Sequence, residues 1–152
     1  MALRVIVKNG DPILRKKCKV VDVFNERLWT LLDDMKETMF KADGVGLAAP
    51  QVGMLKRLCV IDAGEGYFEL INPEIISASG EQRDTEGCLS CPNQWGYVTR
   101  PNIVTFKAQD RNGKEYQMTV EGLFARAVCH ELDHLDGKLF IDLVEEFVEP
   151  EN

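Results

Sequence analysis

The segment from about Glu121 to Leu135 constrains this chain most. Leu123, Phe124, Ala127, Val128, Leu132 and Leu135 fall on nearly every side of a helix, which predicts a helix buried inside the fold. The same helix holds both histidines of the protein, in His130-Glu131-Leu132-Asp133-His134. Histidines four apart lie on one face, one turn apart, so both imidazoles can reach a single metal ion. Glu131 sits beside them, placed to take a proton from a water at such an ion. HExxH is the spacing of zinc hydrolases. A chance pair of histidines is the competing reading, but a helix this apolar has no means of burying two unpaired imidazoles. Asp133 reads as a solvent-facing residue and Asp136 as a helix-end group.

A catalytic site of this kind needs a third protein ligand and an open position. No third histidine exists, and no glutamate follows in a second long helix, so the ligand is a cysteine or a carboxylate from elsewhere. The candidate segment is Glu86-Gly87-Cys88-Leu89-Ser90-Cys91-Pro92, a tight backbone stretch with a cysteine that a nearby cation would deprotonate. An alternative stays open here: Cys88, Cys91, His130 and His134 closing a structural Cys2His2 site. The 38 residues between Cys91 and His130 are far from finger spacing, and a closed site leaves Glu131 without a role. A redox CxxC is weaker still, since no βαβ pattern surrounds it.

The remainder reads as an α+β fold in a single domain, residues 1–152. A first helix is expected from about Glu26 to Ala42. Its core face is Leu28, Leu31, Leu32, Met35 and Met39, Asn25 is its N-cap, Asp43-Gly44 ends it, and Asp33-Asp34 lies on a solvated face. Strands are expected at 57–62, 67–72, 74–77, 97–99, 103–108 and 115–120. Asn72-Pro73 reads as a turn, 110–113 as a hairpin tip, and the acidic tail LVEEFVEPEN as ending in a solvated or frayed terminus. The five cysteines are odd in number, and the opening residues lack a secretory h-region. That predicts reduced thiols in a cytoplasmic protein, with Cys18, Cys59 and Cys129 as buried small hydrophobes. A net charge of −7 argues against nucleic-acid binding, and no apolar run reaches the roughly 18 residues of a membrane span.

The loop GVGLAAPQVG at 44–53 is unusually apolar for a loop. Gly44 and Gly46 permit close backbone approach, and Gln51 carries an amide that can donate to an oxyanion, although packing within the loop is its commoner use.

Together these segments resemble the bacterial peptide deformylases. The family's GxGLAAxQ, EGCLS and HExDH motifs match GVGLAAPQ at 44–51, EGCLS at 86–90 and HELDH at 130–134, in order and without a mismatch. GDPILR at 10–15, LINPEI at 70–75 and GKLF at 137–140 extend the likeness over almost the whole chain.

The resemblance implies removal of the formyl group from the N-terminal formylmethionine of nascent proteins, releasing formate. It implies Cys88, His130 and His134 as metal ligands, Glu131 as general acid/base, and Gln51 with the Leu89 N–H as oxyanion hole. The ion it implies is Fe(II), with Zn, Ni or Co compatible with the donor set. The methionine side chain is expected among Val45, Leu123, Ala127 and the edge of His130, with the peptide paired to Val45–Gly46 and Gly87–Leu89. Arg126 is expected to pack its stem there with its head in water. Arg100 is expected to brace the site or to form a surface ion pair. Cys91 stands where many relatives have an aliphatic residue. Partners implied are N-formylmethionyl peptides and a transient ribosome contact; a metal-dependent peptidase is the rival within the enzyme class.

Overall fold

Which side of a sheet each residue faces explains most of this architecture. The computed structural model describes residues 2–149. Its elements are α1 (Glu26–Lys41), β1 (Gly46–Ala48), β2 (Leu58–Asp62), β3 (Tyr67–Ser79), β4 (Gln82–Cys88), β5 (Cys91–Arg100), β6 (Ile103–Gln109), β7 (Glu115–Glu121), α2 (Leu123–Leu135) and β8 (Glu146–Val148). One antiparallel sheet runs β1-β2-β3-β6-β7; a second, smaller one runs β4-β5-β8.

The large sheet is covered on both faces, so β2 is apolar at consecutive positions. Cys59 and Ile61 pack toward α2 with Phe106, Phe124 and Val128. Leu58 and Val60 pack toward α1 with Leu28, Leu32 and Met35. The order is therefore helix, sheet, helix. The opposite side of α2 meets the small sheet, where Cys91 and Val98 pack around Phe140 and the His130 ring lies 5.9 Å from the Phe140 ring.

Helix α1 begins where its cap predicts, with the Asn25 side chain accepting from the Leu28 N–H at 3.2 Å. Its end divides two jobs. Asp43 takes the left-handed conformation (φ 55°), whereas Gly44 is needed for space, since a Cβ there would lie 2.8 Å from Leu89.

Two expectations are corrected, and β4 and β8 are strands that the sequence reading lacks. Asp34 is buried, not solvated: it accepts from the Ala2 N–H at 2.8 Å and pairs with Arg4 at 3.0 Å, fastening the N-terminal segment to α1. Asn72-Pro73 is an irregularity inside one long β3. Asn72 tolerates φ 50° and its amide ties to Val21 and Gln109, while proline removes a donor that a bulge leaves unpaired. Strand β4 carries no sequence signal, because QRDTEGC alternates no apolar residues; it is an outer strand, where none are required. The acidic tail forms β8, which pairs with β5 through Glu146–Val148; its end, expected to be solvated or frayed, falls at 150–152, outside the described residues.

Candidate active site

Helix α2, the turn between β4 and β5 and the loop from Gly44 to Gln51 meet at one cavity of about 540 Å³. Helix α2 brings His130 and His134 onto one face, their ring centroids 5.1 Å apart. The turn between β4 and β5 brings Cys88 to them, its Sγ 3.4 Å from His134 Nε2. One donor atom from each of these three residues lies within 4.8 Å of the others, and among the described residues this is the cluster suited to an ion. Cys91 is not part of it.

The chemistry of the donors fits a divalent cation. Burial holds His134 well below the ordinary imidazole range, so its ring is neutral with a lone pair to give. The Cys91 sulfur, burial and the Glu131 charge all push the Cys88 thiol up, so Cys88 becomes a thiolate only beside a positive charge. His130 donates through Nδ1 to Glu86 Oε2 at 2.6 Å, which turns Nε2 toward the cluster.

Glu86 is the functional residue that sequence reasoning missed. Beyond His130, its carboxylate accepts from Arg100 at 3.1 and 2.7 Å and from Arg126 at 2.8 Å. Arg100 also reaches Asp133 at 2.8 Å. Two guanidiniums thus face two carboxylates, and Arg100, Arg126 and Glu86 are each about 95% buried. Burial pushes the Glu86 carboxyl up, but His130 and Arg100 outweigh it and hold it well below the usual range. A carboxylate two residues from a candidate ligand in a polar strand was the available signal.

This network corrects two expectations and decides between the two readings of a third. Arg126 does not reach water; its head is sealed against Glu86 and the Gln82 carbonyl. Asp133 is held by Arg100 and is only partly exposed. Arg100 braces the site and is no surface ion pair.

Glu131 is buried, its Oε1 has no hydrogen-bond partner among the described residues, and burial raises its carboxyl to about 7. Its other oxygen lies so close to Gly46 that a Cβ there would be 2.5 Å away, which is why this position is glycine. Gln51 is fully oriented: its Oε1 accepts from the Ala48 N–H at 2.9 Å. That turns Nε2 to Ser90 Oγ at 3.0 Å and to Cys88 Sγ at 3.6 Å. Leu89, in the adjacent turn, lines the same cavity, as do Val45, Gly87, Leu123 and Ala127. The site residues picked from the sequence therefore line one space, except His134, which lies 3.4 Å from the Cys88 sulfur at its wall.

Fold and site together define a small α+β hydrolase built on an HExxH helix, with a cysteine from a second sheet as the remaining donor. The polypeptide deformylase family matches residues 3–149. A peptide deformylase of Caldicellulosiruptor bescii is 62% identical over 151 residues, covering 99% of this chain and 91% of that protein. Peptide deformylase 1 of Clostridium acetobutylicum is 58% identical, covering 96% and 97%. Among solved structures, the peptide deformylase of Thermotoga maritima superposes with a TM-score of 0.93 at 41% identity, covering 95% of this chain and 99% of that one. That of Synechococcus elongatus, solved in complex with actinonin, gives 0.89 at 43% identity, covering 93% and 78%. The chain belongs to the polypeptide deformylase family. It is an enzyme that removes formyl groups from nascent peptides, and both the structural-metal module and the internal peptidase fall away.

Proposed function

We propose that Cys88, His130 and His134 hold one divalent metal ion and that Glu131, Gln51 and the Leu89 N–H carry out deformylation around it. The observation that carries this reading is the convergence of the three donors beside a buried carboxyl raised to about 7. Bound there, the ion supplies Lewis acidity and a water acidic enough to act near neutral pH. Glu131, poised near neutrality, accepts the water proton and returns it to the leaving amine. Gln51 Nε2 and the Leu89 N–H donate to the oxygen that gains charge as the formyl carbon becomes tetrahedral. The methionine side chain lies against Val45, Leu123, Ala127 and the edge of His130. The rest of the peptide runs extended between Val45–Gly46 and Gly87–Leu89. Support for this comes from topology: β1 and β4 are outer strands of their two sheets, with free edges for an added strand.

Fe(II) is the ion proposed, and the single catalytic domain is proposed to work in the cytoplasm on chains leaving the ribosome, in a brief contact. In keeping with this, no helix among the described residues is long and apolar enough to cross a membrane. The test is anaerobic formate release from formyl-Met-Ala with metal analysis of the same sample. Glu131→Gln is expected to keep its metal and lose turnover by about 10²–10⁴-fold. Full activity in Glu131→Gln, or metal retained by Cys88→Ser at wild-type affinity, overturns the assignment.

A further inference from the structure

Cys91 is left over by the chemistry above, and its position gives it a use. It is the direct partner of Cys88 across the two-residue Leu89-Ser90 turn. Residues directly opposite in an antiparallel pair share a face of the sheet, with Cα atoms about 4.5–5.5 Å apart. That separation lies inside the roughly 4.4–6.8 Å that a disulfide spans. Both side chains pack in the same small cluster, with Val98 and Phe140. Both line the cavity, but their exposures differ in a useful way: Cys88 is half-buried, while Cys91 is 2% exposed. The other three cysteines sit in the core between α2 and the large sheet.

We propose that Cys88 and Cys91 form an oxidative modification site, in which a hydroperoxide that enters the cavity converts the pair to an intramolecular disulfide and removes Cys88 from the metal-donor set. In the first step the Cys88 sulfur attacks the peroxide. An S–O bond forms, the O–O bond breaks, and the departing oxygen leaves as water or an alcohol, so Cys88 becomes a sulfenic acid. In the second step the Cys91 sulfur attacks the Cys88 sulfur. An S–S bond forms, the S–O bond breaks, and the released hydroxide leaves as water with the Cys91 proton. Two thiols are oxidised by two electrons and one peroxide is reduced. The two cysteines already face each other across a closed turn, and the β4–β5 register shifts between Gly87 and Cys88, so the cross-link adds to a bridge set apart from the rest of the ladder. A disulfide sulfur no longer offers a thiolate, so the ion would keep only His130 and His134. In place of irreversible sulfinic or sulfonic acid at Cys88, the enzyme gains a state that a dithiol can reverse.

The metal consequence rests on Cys88 being a ligand; the cross-link itself does not. The metal-loaded enzyme is treated with hydrogen peroxide and examined by thiol titration in denaturant, peptide mass mapping and metal analysis. Free thiols are expected to fall from five to three, with Cys88 joined to Cys91, and metal is expected to leave in step. Dithiothreitol followed by metal is expected to restore at least about tenfold more activity to the wild type than to Cys91→Val, whose Cys88 proceeds to irreversible acids. Retention of five thiols, or sulfonic acid at wild-type Cys88 without a cross-link, overturns the proposal. A cross-link that leaves the metal in place would instead refute Cys88 as a ligand. Mapping of the wild type decides the question even if Cys91→Val fails to fold.

Discussion

The two sheets differ in what holds them together. The large one is stabilised by apolar side chains on both faces, with α1 and α2 covering it. The small one has a core of only a few residues around Cys91, Val98 and Phe140 and is held instead by the buried ion network centred on Glu86. Rigidity and reactivity are thereby separated. α2 contributes Phe124 and Val128 to the large core and His130 and Glu131 to the polar side. Across the seam, Gln51 Nε2 bonds Ser90, and the N-terminal segment spans both halves through Val7 N–H to Gln51 O at 2.7 Å and Asn9 N–H to Ser90 O at 2.8 Å. Residues two apart on an extended chain expose their N–H groups on the same edge, so this segment spaces the two loops that flank the cavity.

That contrast can be broken by mutation. Glu86→Ala strands the Arg126 guanidinium and the His130 imidazole, leaves Arg100 with Asp133 alone, and should cost about 3–5 kcal/mol, together with looser metal binding. Denaturant unfolding and metal titration measure both, and a loss under about 1 kcal/mol would mean that the network does not hold the small sheet. Leu32→Ala in the large half should cost about 2–5 kcal/mol. Its kcat at a temperature where it is folded should match wild type, because Leu32 touches only the α1-side core. A parallel fall in kcat would show that the halves are not separate.

Gly46→Ala tests the seam itself. The added methyl displaces Glu131, so kcat should drop at least tenfold for a stability cost of about 1–3 kcal/mol. Unchanged kcat would mean that the close approach has no part in placing the carboxyl.

The smallest effect lies at the edge of the small half. Arg15 holds the Asp142 carboxyl below its ordinary range, through hydrogen bonds at 2.5 and 3.1 Å. A lowered carboxyl stabilises the fold above its unfolded value of about 3.9 and loses that contribution as pH falls through the folded value. Both groups are more than 40% exposed, so Arg15→Ala should cost only about 0.2–1 kcal/mol at neutral pH. Stability curves of wild type and variant should draw together as pH falls below the ordinary carboxylate range and through the lowered Asp142 value; a gap that does not narrow with falling pH would assign the effect to packing.

The amino-acid order by itself determined whatever depends on neighbours along the chain. The cap at Asn25, the apolar stripe of α1, the two histidines one turn apart and the hairpin at 110–113 are all local, and periodicity or spacing reports them. The three motifs, read as a family resemblance, also named the three clustered donors, Glu131, Gln51 and Leu89, but not Glu86. Tertiary structure alone decided which charges meet. Glu86 touches His130 across 44 positions and Arg126 across 40, and Asp34 meets Arg4 across 30; no local pattern marks such pairs. A buried ion network leaves charged residues in the sequence looking like ordinary surface. The cost of burying each one is offset by partners that only the fold brings together. The pairing of Cys88 with Cys91 needed the structure for the same reason. CxxC is equally a turn, a ligand pair or a redox couple until the strand register is known.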